Sequence, residues 1–360
     1  MNDQSSLSIK GLHYKSTPQF TQKKNLHKKL KVIVNTQHKG GVGKTTDTIL
    51  QAHYISEVLK KRVLLIDLDP QANLSTTFVA MEKEEDWVND SSANWMPPVH
   101  EDYDEGQSGD GRYSFIDLFQ ADETGNTIGL VPYSTTNPRI DLIPAYSSQL
   151  HLFKDTSNLF RAVNKNSPNF AEKSVNFMKS DKYRKEFRDS IINLIVDSID
   201  SVRDSIEESV ACGEDPIYDY VIFDTNPDKD LFIEAVIRSC DHVVLPYFPD
   251  AFTLDGMSSM VRMINRQNQE RSMAGKVPVT YSIQPNKISP SNKNQLRDLD
   301  TFAKLYKNHM NYPIKNYAAI VELWNYRPEK AATFTKAFRP SSKEYINIVT
   351  AMSNIFGEAQ

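Results

Sequence analysis

The stretch that decides the fold is "NTQHKGGVGKTTDT", Asn35 to Thr48. Gly40, Gly41 and Gly43 permit a turn tight enough for successive backbone N–H groups to face one concavity, which suits an anion. Lys44 and Thr45 follow at the spacing where an ammonium neutralises β- and γ-phosphates and a hydroxyl meets Mg²⁺, with Val42 and Thr46 completing the loop. The standard G-x-x-x-x-G-K-[ST] pattern asks for Gly at position 38. This chain has His38 there, and an additional cation, Lys39, five residues before Lys44. A Gly-rich turn that holds nothing is the alternative reading, and the flanking residues speak against it.

Before the loop, "KVIVN" (Lys31 to Asn35) predicts a short buried strand. After it, Lys44 to Lys60 predicts a helix with Ile49, Leu50, Ala52, Ile55, Val58 and Leu59 as its apolar positions. "RVLLIDLD" (Arg62 to Asp69) predicts a second apolar strand. Strand, glycine turn, helix and strand in so few residues form a βαβ unit, hence a parallel sheet. The alternation returns with "RIDLIPA" (Arg139 to Ala145), "YDYVIFD" (Tyr218 to Asp224), a helix from about Leu231, "HVVLPYF" (His242 to Phe248), a helix from about Leu254 and "VPVTYSIQ" (Val277 to Gln284). Strands apolar on both faces need helices on both sides of the sheet. The expected fold is one doubly wound, mostly parallel α/β domain of the P-loop type over residues 31–360, after a basic, flexible arm at 1–30. Residues 81–127 are acidic and rich in Gly, Pro and Ser and read as a surface insertion, whereas 150–210 read as a helical one.

Charge is unevenly spread. Residues 1–31 carry seven Lys and one Asp, and 81–112 carry ten Asp/Glu against Lys83 and Arg112. Residues 257–345 carry fifteen Lys/Arg against six Asp/Glu, a surplus that could serve an anionic partner or be scattered solvated charge. No run of about 18 apolar residues predicts a membrane span. Cys212 and Cys240 have no metal-like spacing, and together with a lysine-rich start lacking an apolar segment they suit a cytoplasmic protein.

The spacing K-G-G-x-G-K-[ST] at Lys39–Thr45 resembles the deviant Walker A loop of the ParA/MinD family of dimerising P-loop ATPases. "DLDPQANLSTTF" (Asp67 to Phe78) resembles the family's switch segment, "YDYVIFDTNPD" its Walker B strand and following turn, and "QPNKIS" (Gln284 to Ser289) the late strand end that contacts the base. The resemblance implies an ATPase using ATP and Mg²⁺, with Lys44 on the phosphates and Thr45 and Asp224 at the metal, assisted by Asp67. Asp69 is expected to activate or position the attacking water; an Asp-Pro turn starter is the plainer reading of that residue. Lys39 is expected to reach across a homodimer to the partner's nucleotide, coupling ATP to dimerisation; otherwise it is a surface lysine. Asn286 is the candidate for the adenine edge, or else a turn former before Lys287. Asp47 departs from the family pattern, where a small residue is usual, and its charge is expected to weaken nucleotide binding.

Among the family's branches the chain resembles the ParA-type, Soj-like partition ATPases. That branch implies a nucleoid-associated protein whose ATP dimer binds DNA without sequence preference and is stimulated by a centromere-binding, ParB-like adaptor. Lys336, Arg339 and Lys343 are the candidate phosphate contacts. A positioning ATPase for a protein cargo and a MinD-like membrane-associated regulator are the competing readings. Against the latter, "KEYINIVTAMSNIFGEAQ" lacks a basic face after Lys343 and reads as a docked core helix, with no membrane partner expected.

Overall fold

A computed structural model describes residues 30–84, 94–104, 109–119, 130–164, 169–212, 217–228, 230–250, 253–317, 320 and 339–356. The basic arm at 1–29 and Lys336 lie outside the described residues. In chain order the elements are β1 (Lys31–Asn35), α1 (Lys44–His53), β2 (Val63–Asp67), α2 (Asn73–Phe78), β3 (Glu82–Lys83), β4 (Trp95–Met96), β5 (Tyr133–Ser134) and β6 (Ile140–Ile143). Then come α3 (Ser147–Lys154), α4 (Thr156–Asn164), α5 (Phe170–Lys179), α6 (Asp181–Ala211), β7 (Tyr220–Asp224), α7 (Leu231–Ser239) and β8 (His242–Tyr247). The chain continues through α8 (Thr253–Met273), β9 (Thr280–Pro285), α9 (Lys293–Leu305) and a helix labelled α10 (Lys343–Phe356).

Seven strands form one sheet in the order β5-β6-β2-β7-β1-β8-β9, and every pairing is parallel except β5 with β6. The period of two decides which side each residue faces. Val32, Val34, Leu64, Ile66, Val221, Phe223, Val243 and Leu245 enter one core with the buried faces of α6, α7 and α8. Ile33, Val63, Leu65, Ile222 and Val244 enter the other, beneath α1 and α10. The sheet is thus covered on both sides, as its apolar strands require. The C-terminal helix docks as expected: Ile348, Ala351, Met352 and Phe356 are buried, and the Phe356 ring lies 5.9 Å from Tyr54 and 5.6 Å from Tyr220.

One feature differs from the sequence expectation. The segment at 81–127 is not wholly superficial. Its "SFIDLF" portion forms a 3-10 turn over Phe115–Phe119 that is buried in the main core, with Phe115 edge-on to both Phe223 and Phe232. A short apolar run inside an acidic stretch is outweighed in any windowed reading, although its burial is worth several kcal/mol. The region at 150–210 forms helices α3 to α6 and is built into the domain. Arg203 on α6 donates to Leu30 O, Ser239 O and the Asp241 carboxylate at 3.3, 2.7 and 2.8 Å, joining the helix to the ends of β1 and α7.

His53 closes α1 with its ring buried against Phe78, 5.7 Å away. Burial holds its pKa down to about 4, so the folded state keeps the ring neutral. Its contribution to stability is whole above the unfolded value of about 6.5 and is lost as pH falls from there toward 4, by about 3 kcal/mol. His53→Gln removes this titration. The difference between the variant and wild-type stability curves, followed by chemical denaturation from pH 7 to 4, should grow in the variant's favour across that window.

Candidate functional site

Parallel pairing sets Asn35 opposite Asp224, and Asp67 opposite Asp224, so three adjacent strands end in one row. The glycine loop springs from this row. Gly41 (φ 73°) and Gly43 (φ 101°) adopt left-handed backbone that other residues enter only with strain. Gly43 caps α1, and no side chain satisfies the amides of that first turn. A helix start with its N–H groups uncommitted is an anion site. Lys44, Thr45 and Thr46 are buried in the same turn, and Val42 is buried in the loop. Gly40 is exposed.

The loop is braced from below. Asn35 and Gln51 exchange amide hydrogen bonds of 2.8 and 2.9 Å, and Asn35 also donates to Thr48 Oγ1 at 3.0 Å. Thr225 Oγ1 donates to Asn35 O at 2.9 Å, bringing in the turn after β7. Nothing in the residue types at positions 35, 48 and 51 announces this brace, since Asn, Thr and Gln serve equally at a surface.

Four charged groups meet beside the loop. The Lys44 ammonium lies 3.5 Å from Lys39 O. Its pKa is lowered chiefly by burial, against the pull of Asp224, Asp69 and Asp228. Asp224 is fully buried and its carboxyl is pushed well above the usual range by desolvation and then by Asp67. Its Oδ1 accepts from Thr48 Oγ1 at 3.3 Å, the neighbouring Thr45 side chain partly offsets the rise in its pKa, and Oδ2 is buried with no hydrogen-bond partner. Burial and the neighbouring Asp69 raise Asp67 to about 7.

The two carboxylates of the switch segment are used differently. Asp67, expected to assist at the metal, has both oxygens engaged by its own segment: Oδ1 accepts from Asp69 N at 3.0 Å, and Oδ2 from Ser75 N and Oγ at 2.9 and 2.7 Å. Asp69 lies two residues beyond the strand rather than at its end, with Oδ1 accepting from Gln71 N at 3.0 Å. Its field reaches Lys44 and Asp224, so the structure gathers Lys44, Thr45, Asp67, Asp69 and Asp224 into one cluster. Among the described residues no group of three or more His, Cys, Asp or Glu side chains forms a metal cage.

Lys39 leaves the loop in the other direction. In this single chain it forms an ion pair with Asp250, just after β8, and approaches Thr253 Oγ1 at 3.5 Å. Asp250 is held in turn by Thr253 N and Oγ1 at 3.0 and 2.8 Å. Asn286 is buried directly after β9: its Nδ2 donates to Asp47 Oδ1 at 2.9 Å and to Val42 O at 3.2 Å, and its Oδ1 is buried with no hydrogen-bond partner. Asp47 is fully buried, and burial pushes its carboxyl up to about 8, which disfavours the negative charge that the sequence places beside the loop. Arg339 and Lys343 are exposed at the head of α10. Sequence reading passed over Asp250 and Lys287, because an Asp before a helix and a Lys in a turn have commoner local uses.

A glycine loop feeding a helix start at the carboxyl end of a parallel sheet, with buried carboxylates on adjoining strands, defines a P-loop nucleotide-binding protein. The chain belongs to the CobQ/CobB/MinD/ParA nucleotide-binding domain family, whose model matches residues 33–312. It is 24% identical over 238 residues to the sporulation initiation inhibitor protein Soj of Bacillus subtilis, covering 65% of this chain and 64% of that protein. It is 51% identical over 51 residues to the chromosome-partitioning ATPase Soj of Thermus thermophilus, and 47% identical over 47 residues to the virulence plasmid ParA family protein pGP5-D of Chlamydia psittaci. These two matches cover 14% and 13% of this chain and span only 20% and 18% of those relatives' lengths. Among solved structures, apo McdA of Cyanothece superposes with a TM-score of 0.56 at 14% identity, covering 91% of this chain and all of that one. A putative plasmid partition protein of Borrelia burgdorferi B31 bound to AMPPNP gives 0.52 at 18% identity, also covering 91% of this chain and all of that one. At such identities the superpositions speak for the fold.

The brace makes a direct prediction. Asn35→Ala leaves Gln51 and Thr48 with unanswered buried polar groups and should lower unfolding stability by about 2–3 kcal/mol, measured by urea denaturation. A loss below about 0.5 kcal/mol would mean that the pair is dispensable.

Proposed function

We propose that the chain is a ParA-like, Mg²⁺-dependent ATPase that forms an ATP-dependent dimer, binds DNA without sequence preference and is stimulated by a ParB-like adaptor, acting in the cytoplasm at the nucleoid to partition DNA. The observation that carries the hydrolytic part is the buried cluster of Lys44 with Asp67, Asp69 and Asp224 beside a helix start whose amides are uncommitted. The orphaned Asp224 Oδ2 and the nearby Thr45 side chain fit a hard cation that takes few protein ligands. Thr45 and Asp224 would hold Mg²⁺, whose charge would offset that of the β- and γ-phosphates. Lys44 neutralises phosphate, the α1 amides orient it, and Asp69 accepts a hydrogen bond from the attacking water. Asp67 acts by shaping the switch segment. Among the described residues no helix is long and apolar enough to cross a membrane.

In this reading Lys39 exchanges Asp250 for the partner's phosphate when two subunits close over nucleotide. The partition role is favoured by the likeness to Soj and ParA-family proteins, and the DNA surface by the basic surplus over 257–345. A few phosphate contacts on one subunit give weak, salt-sensitive binding, and two faces on one duplex strengthen it steeply.

Three variants divide the labour. Lys44→Ala should bind ATP too weakly to detect, whereas Asp69→Ala should bind normally and turn over on the order of 10²- to 10⁴-fold more slowly. Lys39→Ala should bind ATP yet stay monomeric in light scattering; wild-type turnover in that variant would remove its role in trans. ATP-locked Asp69→Ala should bind unrelated duplexes far more tightly than the ADP form, and charge reversal at Lys336, Arg339 and Lys343 should flatten the salt dependence. DNA binding equally tight with ADP would set the partition reading aside.

A further inference from the structure

Phosphate is held by the N–H groups of such a loop. Its carbonyl oxygens, the negative ends of the same peptide dipoles, must therefore be turned outward and kept there. Four of them have identified neighbours. Gly43 O accepts from Asp47 N at 2.9 Å within the first turn of α1, and Lys39 O lies 3.5 Å from the Lys44 ammonium. The remaining two are taken by one distant segment. Val42 O accepts from Asn286 Nδ2 at 3.2 Å, and Gly41 O from Lys287 Nζ at 2.8 Å.

That segment is itself well anchored. Asn286 N donates to Tyr247 O at 2.8 Å and Ile288 N to Ile314 O at 3.2 Å. Lys287 between them is left-handed, with φ 56°, a conformation uncommon in a non-glycine residue. The Asn286 amide has one sensible orientation, since both groups opposite it, Val42 O and Asp47 Oδ1, accept hydrogen bonds. The approach is close enough that a Cβ at position 43 would come within 2.8 Å of Asn286 Nδ2, so the glycine is required by this contact as well as by its φ.

We propose that Asn286 and Lys287 are positioning residues for the phosphate loop, drawing the Gly41 and Val42 carbonyls outward so that the loop amides face a bound polyphosphate. The inference rests on the nucleotide-binding reading above and gives Asn286 a different task from reading the adenine edge. A base contact distinguishes one base from another and is silent when there is no base. A clamp on the loop acts on phosphates whatever they carry.

The test measures calorimetric binding of ATP, GTP and inorganic tripolyphosphate, each with Mg²⁺, to the full chain and its variants Asn286→Ala, Lys287→Met and Lys287→Arg. Both deletions of a donor should weaken tripolyphosphate about three- to tenfold and the two nucleotides by a similar factor. Lys287→Arg should recover most of the loss. The Lys287→Met deficit should persist at 0.5 M salt, where long-range attraction from a lost surface charge is screened. Lys287 is exposed, so its variants decide the matter if Asn286→Ala fails to fold. Unchanged tripolyphosphate affinity, with ATP weakened relative to GTP, would overturn the clamp and restore the base-reading role. A wild-type chain that binds none of the three would overturn the nucleotide-binding reading, and the clamp with it.

Discussion

Asp67, Asp69 and Asp224 share the water-poor carboxyl end of the sheet with the Lys44 ammonium, so carboxylates outnumber the cation there. Desolvation alone disfavours ionised carboxylates, and their mutual repulsion adds to it; the raised pKa values of Asp67 and Asp224 express both. Such a cluster persists only if the surrounding fold over-determines it. The parallel register does so by ending β1, β2 and β7 level with one another, and the Asn35–Gln51 pair fixes α1 to the same strand ends. A divalent cation, as proposed above, is the kind of group that would relieve the excess.

The segment from Asp67 to Phe78 carries this constraint away from the strand ends. Asp67 holds the turn through Asp69 N and Ser75, and Ser75 Oγ in turn accepts from Ala145 N at 2.9 Å, reaching the end of β6. Within that turn Ala72 sits at φ 52°, left-handed without being glycine. Strain of this kind costs on the order of 1–3 kcal/mol and is kept where a surrounding network compels it. Asp69, the residue proposed to meet water, is thus carried by a short segment whose shape depends on the ionisable group behind it.

The helical region extends the same site outward. The Lys154 ammonium at the end of α3 pairs with the Asp228 carboxylate at 2.6 Å, and Asp228 N is fixed by Asn226 Oδ1 at 2.9 Å in the turn after β7. Asp228 contributes to the field at Lys44. The helical insertion therefore adjoins the turn that bears on Lys44, while α6 is locked into the core by Arg203.

The sequence by itself determined the sheet class, the phosphate loop and the strand-end carboxylates. Those features are written in local patterns: glycines where the backbone turns left-handed, apolar runs where strands are covered on both faces, and an Asp where a buried strand ends. The docking of α10 was equally legible in its apolar stripe. What only the tertiary structure decided is which oxygen or ammonium each residue finds. Lys39 meets Asp250, Asn286 meets Val42 and Asp47, Lys287 meets Gly41, and Asp67 turns back on its own segment. Most of these partners lie more than 200 residues apart in the chain. No periodicity records such distances, because hydrogen bonds are assigned by where the sheet order brings strand ends together and not by spacing along the chain.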